Sequence, residues 1–250
     1  GRGAYVFDGA NDYLTPAGAS SNYIRTVSGT IAIWLRPDRD TKPASNSFTG
    51  QGAIGDSGGF FGIYRASIGG SDQIWVYNWD GNEDRVGFNY TNSEWVHVVW
   101  RHNDTDLSIF RNGVLNGTVA SGATTGLGNS LRIGAAYSAG STLNGTVDEV
   151  LVFNKTLSAE QIWNIYANRT NQIASNDTNI SEEWFVEVTP NDGTADGNLS
   201  RSNSVLVLPA GDNRPSAPIL SSPLNNTLTT NRTPEFKWNT STDADGSFIS

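Results

Sequence analysis

The sequence is divided into short apolar stretches separated by turn residues. Each stretch has six to nine residues, is rich in Val, Ile and aromatic side chains, and is flanked by Gly, Asn or Asp. Eight of them occur in the first part of the chain: AYVFDG, GTIAIWLRP, GFFGIYRAS, DQIWVYNW, EWVHVVWRH, LSIFRNGVL, SLRIGAAY and VDEVLVF. These residue types favour β-strands, and many short strands at this spacing are typical of two packed sheets. The sequence therefore predicts an all-β sandwich.

Two local signals add a hairpin and a helix to the predicted strands. Asn112 and Gly113 supply the positive φ angles that a two-residue hairpin turn requires. Ser158 precedes the segment AEQIWNIYAN, and Gln161 stands three residues later, which is the spacing of a capping box. Apolar residues of this segment recur at i, i+3 and i+4, so we expect a short helix docked on the sandwich.

The composition changes after residue 170. The polar run NQIASNDTNISEE indicates one boundary, and the proline-rich run AGDNRPSAPILSSPLNN indicates a second. We therefore expect one domain over residues 1–170, a partial β module over 171–211, and the truncated start of another module over 212–250. The sequence has no methionine and begins abruptly, which predicts a processed or excised piece of a longer chain.

Four motifs follow one another in the predicted first domain: YVFDGANDYL, GTIAIWLRP, EWVHVVWRHNDTDLSIFRNGVL and GTVDEVLVFNKTLSAEQIWNIY. Their order resembles the laminin-G-like family of the concanavalin A-like superfamily, and this resemblance implies a jelly-roll sandwich. The later stretches EEWFVEVTPNDGTADG and RPSAPILSSPLNNTLTTNRTPEFKWNTSTDADG resemble parts of immunoglobulin-like or fibronectin type III-like modules. Both are shorter than the about 100 residues of a complete module of that kind.

The formal net charge of −9 bears on the choice of partner. Binding to nucleic acid or to an anionic membrane depends on clustered Lys and Arg, and this sequence has no such cluster. No apolar run approaches the about 18 residues of a membrane helix, so we expect no insertion of this segment into a membrane. Because cysteine is absent, disulfides and zinc–thiolate sites are excluded.

The sequence is rich in acceptor sites for N-glycosylation, Asn-x-Ser/Thr. Such sites belong on exposed loops of exported proteins, so they predict an extracellular or cell-surface glycoprotein. The alternative is that an Asn- and Thr-rich β protein produces them by chance. The twelve acceptors are Asn89, Asn103, Asn116, Asn144, Asn154, Asn168, Asn176, Asn179, Asn198, Asn225, Asn231 and Asn239.

The adjacent carboxylates Asp148 and Glu149 are the first candidates for catalysis. Some members of the superfamily are glucanases, and glycoside hydrolysis requires two carboxylates flanking the scissile bond, about 5 to 9.5 Å apart. Adjacent side chains on a regular strand point to opposite faces, so we expect no catalytic pair. The only histidines are His97, which we expect to be packed at the place of a recurrent histidine of the family, and His102, which we expect to be exposed. We therefore expect that the chain is not an enzyme.

Calcium is the cofactor that the acidic residues permit. The resemblance implies that the first and last strands of the domain pair antiparallel, which would bring the end of YVFDG near the start of VDEVLVF. We then expect Asp8, Asp12 and Asp148 to converge on a Ca²⁺ ion, which takes several oxygen ligands. The alternative is that Asp8 and Asp12 form side-chain turns and that Asp148 fixes a strand end.

The strand QIWVYNWD offers a candidate carbohydrate-binding surface. Alternation places Trp75, Tyr77 and Trp79 on one face, where aromatic rings can stack on sugar rings. Asn78 and Asp80 lie nearby and can bond hydroxyl groups. The alternative is that one or two of these rings fill the core, which is the commoner fate of an aromatic side chain.

These features favour a non-enzymatic adhesion or carbohydrate-binding module of a multidomain surface glycoprotein, with a glycan or glycoprotein as its partner. The alternative is a structural subunit of a surface layer or extracellular filament that self-assembles through β-strand edges, because incomplete β modules leave edges unpaired. A third possibility is an accessory binding domain of a larger hydrolase.

Overall fold

The computed structural model describes residues 3–38, 50–68, 71–169, 171–209, 216–223, 228, 230, 232–239 and 241. The chain divides into two compact units, Gly1–Ser175 and Asn176–Ser250. Among the described residues, no helix has both the length and the apolar composition needed to cross a membrane.

Strands dominate the first unit, which confirms the expected all-β class. In chain order its strands and its α-helix are β1 (Tyr5–Asp8), β2 (Gly29–Pro37), β3 (Gln51–Asp56), β4 (Phe61–Ile68), β5 (Ser71–Trp79), β6 (Glu83–Asn89), β7 (Val96–His102), β8 (Asp106–Arg111), β9 (Val114–Ala120), β10 (Leu131–Ile133), β11 (Ala135–Ala136), β12 (Ser138–Thr142), β13 (Asn144–Phe153) and α1 (Ala159–Tyr166). The expected helix is therefore present.

The strands form two sheets that enclose one core. The first sheet is antiparallel throughout and has the order β1-β13-β2-β7-β8-β9. The second has the order β11-β12-β3-β4-β5-β6, with β10 beside β3. β13 lies between β1 and β2, so the first and last strands of the domain close the same sheet. This architecture is the jelly-roll sandwich that the resemblance implies.

The core lies between the sheets and centres on Trp100 of β7. Side chains from both sheets meet there, including Val98 of β7 and Val76 of β5, and both are fully buried. The Trp100 indole contacts the ring of Phe61 and donates a hydrogen bond of 3.0 Å to the main-chain carbonyl of Tyr77. A buried indole N–H needs an acceptor, and this bond therefore links β7 directly to β5 in the other sheet.

Both local signals of the sequence are confirmed. Asn112 and Gly113 have φ angles of 50° and 80° and form the turn between β8 and β9. At the start of α1, the Gln161 amide donates to Ser158 Oγ at 3.1 Å, and the Ser158 amide donates to Gln161 Oε1 at 2.7 Å. The helix buries Ile162 against the outer face of the first sheet.

Three strands lie outside the predicted stretches, namely β3, β6 and β12. β3 contains glycine where a larger residue would clash with the main chain of a neighbouring segment. A Cβ on Gly52 would lie 2.4 Å from the Ala136 amide nitrogen. In β6, only Val86 and Phe88 pack toward the core, and the remaining residues are polar or Gly. Such strands have weak apolar patterns.

The second unit contains short antiparallel pairs. Its strands are β14 (Glu183–Trp184), β15 (Glu187–Val188), β16 (Ser200–Arg201), β17 (Val205–Leu206), β18 (Leu220–Ser222) and β19 (Lys237–Trp238). β14 pairs with β17, β15 with β16, and β18 with β19. The apolar segment EWFVEVTP thus contains two short strands rather than one continuous strand. The two module boundaries expected within residues 171–250 stay predictions.

Candidate functional site

A bulge in β13 shapes the outer face of the first sheet. Asp148 lies opposite Trp34 of β2, and Leu151 lies opposite Ala32, so β13 carries one more residue than β2 over this interval. Glu149 within the bulge has a φ of 47°. This left-handed conformation costs a residue with a side chain about 1 kcal/mol, and such strain persists only where the surrounding structure imposes it.

The bulge brings both adjacent carboxylates to one pocket. Trp34, Trp95, Asp148 and Glu149 line this open pocket of about 310 Å³, which we call the Trp34–Trp95 pocket. The expectation that strand alternation separates Asp148 from Glu149 is therefore wrong, because the extra residue interrupts the alternation. The Glu149 amide donates to Asp148 Oδ1 at 2.9 Å, and no ion pair among the described residues involves either carboxylate.

Trp34 is held in place by rings packed against it. It stacks on Tyr166 of α1 with ring centroids 5.7 Å apart and an interplanar angle of 29°. The His97 ring, from the neighbouring strand β7, lies 5.4 Å away. Helix α1 thus supports one wall of the pocket.

Trp95 forms the other aromatic wall and is 41% exposed. The guanidinium group of Arg36 lies 5.6 Å from the centre of its ring. Arg36 also donates to Thr146 Oγ1 at 3.2 Å and lies 3.7 Å from the Asp38 carboxylate. The positive charge of Arg36 therefore has an acidic partner outside the pocket lining.

Both histidines are buried. Burial lowers the pKa of His97 to about 4, so its ring is neutral at physiological pH, and its amide donates to Asn112 Oδ1 at 3.0 Å. His102 is not exposed, contrary to the expectation, because its ring stacks on Trp100 at 5.7 Å and its Nε2 lies 2.8 Å from the Gly122 carbonyl. Burial also lowers the pKa of His102.

The expected aromatic surface on β5 is largely packed. Trp75 and Tyr77 are 1% and 2% exposed, and they form a cluster with Tyr64 and Ala136 on the outer face of the second sheet. Trp79 is only partly buried. The alternation is as expected, but burial leaves Trp79 as the accessible ring.

The two polar residues expected to bind sugar hydroxyls hold a loop instead. Asn78 is fully buried; its Nδ2 donates to Ser121 Oγ at 2.8 Å, and its Oδ1 accepts from Thr124 Oγ1 at 2.5 Å. Asp80 Oδ2 accepts from the Gly122 amide at 2.8 Å, and this bond is the main reason why the pKa of Asp80 is lowered. Both residues fasten the end of β5 to the chain after β9.

A second, smaller depression surrounds Trp79. It has a volume of about 170 Å³, roughly half that of the Trp34–Trp95 pocket, and no ionisable carboxylate or basic side chain lines it among the described residues. Its lining consists of Gly58, Gly59, Phe60, Tyr77, Trp79 and Tyr137.

The three expected calcium ligands do not converge. β1 pairs antiparallel with β13, but the register places Asp8 opposite Asn144, and Asp148 stands four residues further along β13, about 13 Å away at strand spacing. Asp8 Oδ1 accepts from the Ala10 amide at 2.7 Å in a side-chain turn, and Asp12 is exposed. Within the described ranges, no group of three or more His, Asp or Glu is arranged to hold a metal ion. Calcium binding stays a prediction.

The glycosylation acceptors differ in exposure. Asn103 and Asn144 are half-buried, while Asn225 and Asn231 lie outside the described residues. The exposed acceptors are Asn89, Asn116, Asn154, Asn168, Asn176, Asn179, Asn198 and Asn239.

The sequence gives a partial signal for the aromatic walls. Trp34 alternates with the buried Ile33 and Leu35, so period-two reasoning places it on the outer face of β2. Trp95 immediately precedes β7, so strand alternation does not predict the face on which its side chain lies. No sequence pattern marks the bulge that joins these rings to the carboxylates.

The sheet order and the closing strand define a concanavalin A-like jelly-roll domain. Residues 8–163 match the Laminin_G_3 family model, described as the Concanavalin A-like lectin/glucanases superfamily, and the chain belongs to this family. A comparison with curated proteins finds no match.

Solved structures with a similar fold share little sequence with the chain. Domain 4 of AbnA, a GH43 extracellular arabinanase from Geobacillus stearothermophilus in complex with arabinotriose, is 14% identical, with coverage of 65% of this chain and 76% of that chain and a TM-score of 0.49. The heptameric SAP-like pentraxin from Limulus polyphemus is 12% identical, with coverage of 64% and 80% and a TM-score of 0.47. These likenesses concern the fold.

The buried amide of Asn78 yields a prediction about stability. We expect Asn78→Ala to lower the free energy of unfolding by about 2 kcal/mol, because it leaves the buried Thr124 hydroxyl without its acceptor. Asn82→Ala, at an exposed position in the turn between β5 and β6, should change it by less than about 0.5 kcal/mol. Urea unfolding measures both, and equal effects would contradict the structural role of Asn78.

The neutral His97 yields a prediction about pH. The unfolded chain binds a proton at this histidine near pH 6.5, whereas the folded protein does so only near pH 4. The contribution of His97 to the free energy of unfolding is therefore complete above pH 6.5, and it falls by about 2–3 kcal/mol as the pH drops to 4. Urea unfolding at several pH values should show a shallower decline for His97→Phe, which retains a ring. Parallel declines for the two proteins would refute the prediction.

Proposed function

We propose that the jelly-roll domain binds carbohydrate, without catalysis, in the Trp34–Trp95 pocket. The observation that carries this proposal is that two indole rings and two carboxylates line one open pocket of about 310 Å³. Indole faces stack on the apolar faces of sugar rings, and carboxylates accept hydrogen bonds from hydroxyl groups. The volume lies at the lower end of the range for ligand sites and suits one or two sugar rings.

The arrangement of the carboxylates supports binding over hydrolysis. Asp148 and Glu149 are neighbours on one strand, and both therefore approach a ligand from the side of β13. Hydrolysis requires one carboxyl group on each side of the scissile bond. Asp148 also accepts a hydrogen bond from the Glu149 amide, which fixes the position of this carboxylate.

Location outside the cell is part of the proposal. The exposed acceptor sites are spread over both units, from Asn89 in β6 to Asn239 beyond β19. Glycosylation of such sites takes place on the export pathway. The C-terminal stretches, with their resemblance to immunoglobulin-like or fibronectin type III-like modules, would then be spacers of a multidomain surface glycoprotein.

Glycan binding by the purified chain tests the function. A glycan array identifies ligands, and isothermal titration then compares Trp95→Ala with Trp238→Ala. Trp95 is 41% exposed and Trp238 is 60% exposed, but Trp238 lies in β19 and is not part of the pocket lining. We expect Trp95→Ala to weaken binding about tenfold through loss of stacking, and Trp238→Ala to leave it unchanged.

Two results would contradict the binding proposal: no glycan binding by the unaltered chain, or equal loss in both variants. A parallel titration with EDTA tests the calcium prediction. We expect unchanged affinity, because the pocket offers two carboxylates whereas Ca²⁺ takes six to eight oxygen ligands. Lost binding in EDTA would instead support a calcium-dependent site.

A second candidate function is self-assembly through strand edges in the second unit. Apolar side chains on its two-residue strands are exposed, including Val188 at 56% and Val205 at 67%. Short exposed strands can add strands from another copy of the chain. This surface supports the alternative of a surface-layer or filament subunit.

Solution mass tests self-assembly. For such a subunit, the mass measured by light scattering rises with protein concentration, and Val205→Lys prevents the rise by placing a charge at the edge. Val114→Lys is the matched control, because Val114 is 59% exposed in β9 of the jelly roll. A monomer at every concentration would rule out this candidate.

A further inference from the structure

We infer that the Trp34–Trp95 pocket selects sugars that carry a free, protonated amino group. This inference rests on the proposed carbohydrate-binding function and adds the chemical class of the ligand. Its basis is that one pocket is lined by two indole rings and by two carboxylates that form no ion pair with any described residue.

The charge of the pocket is negative. Asp148 and Glu149 line it, and no described basic residue forms an ion pair with either carboxylate. Glu94, next to Trp95 in the chain, is exposed and adds a further negative charge nearby. An ammonium group on a bound sugar would supply the missing counter-charge, whereas an acidic sugar would be repelled.

Arg36 does not remove this negative charge. Its guanidinium group lies over Trp95, at 3.7 Å from Asp38 and within hydrogen-bond distance of Thr146, so Asp38 balances it. The carboxylates of Asp148 and Glu149 remain for the ligand.

The indole rings add to the preference for a cation. The face of a tryptophan ring carries negative electrostatic potential and attracts ammonium groups within about 6 Å. Burial keeps the pKa of His97, which packs against Trp34, at about 4, so no imidazolium charge opposes a cation there. The Trp34 wall is thus apolar, uncharged and suited to an aminated ring.

The bulge in β13 is the reason why Asp148 and Glu149 line the same pocket. In a regular strand, residue 149 would face away from the side occupied by Asp148. Glu149 instead adopts a φ of 47° and joins the same pocket, although glycine or asparagine tolerates this conformation better. The strained residue thereby contributes a second acceptor for an ammonium group.

Titration with matched oligosaccharides tests the inference. The probes are a glucosamine tetramer, the same tetramer fully N-acetylated, and a galacturonate tetramer, measured at about pH 6, where amines are protonated and carboxylates ionised. We expect the glucosamine tetramer to bind about tenfold more tightly than its acetylated form, from two partly exposed ion pairs, and the galacturonate to bind most weakly. Added salt should reduce the difference.

A charge-removing double variant assigns the preference to the pocket. Asp148→Asn with Glu149→Gln should abolish the tenfold difference, because the amide side chains still bond hydroxyl groups but no longer attract an ammonium group. The control, Asp104→Asn with Glu183→Gln, removes the same charge at exposed positions elsewhere and should retain the difference. Loss of the difference in the first variant alone supports the inference.

Other results separate this inference from the proposed function. Equal binding of the aminated and acetylated tetramers, with loss in Trp95→Ala, would overturn the amine preference and leave carbohydrate binding intact. A preference that survives Asp148→Asn with Glu149→Gln would also overturn the inference. If the unaltered chain binds no tetramer and no arrayed glycan, the proposed function and the inference both fail.

Discussion

The pairing of β13 with β2 is the contact on which the rest of the domain depends. It places the closing strand inside the first sheet, between β1 and β2, and so completes the sandwich. The segment after β13 is held by β2 as well, because Thr30 Oγ1 of β2 donates to the Lys155 carbonyl and accepts from the Leu157 amide, both at 2.9 Å. These bonds direct the chain across the sheet to the start of α1, so the strand that closes the sheet also positions the helix.

Helix α1 covers part of the outer surface of the first sheet and leaves the rest of that surface open. Ile162 and Leu157 cover one end of that surface by packing on Val99 and Phe110. Beyond the helix, Trp34 keeps one side against Tyr166 and contributes to the pocket. The Trp34–Trp95 pocket therefore lies on the part of the sheet that the helix leaves uncovered, and Tyr166 of the helix packs against one of its rings.

Sequence reasoning succeeded where apolar side chains determine structure and failed where main-chain geometry does. The eight apolar stretches, the Asn112–Gly113 turn and the Ser158 cap were predictable because each depends on local side-chain chemistry. β3 was not predictable, because close packing of a neighbouring segment requires glycine in this strand, and glycine adds nothing to an apolar pattern. The pocket was hidden for a related reason: alternation assumes a regular strand, and the bulge at Glu149 breaks it. Trp75 and Tyr77 show a different limit. Alternation correctly places both rings on one face of β5, but it does not predict that other side chains bury them there.

The position of Trp34 opposite Asp148 has a consequence for the order of events during synthesis. The two residues belong to the second and thirteenth strands, so a ribosome releases nearly the whole domain before they can meet. Contacts between such distant parts of a chain form slowly, because loop-closure entropy opposes them. A nascent chain lacks the Trp34–Trp95 pocket until its last strand inserts, so binding of the proposed ligand would report complete assembly of the domain.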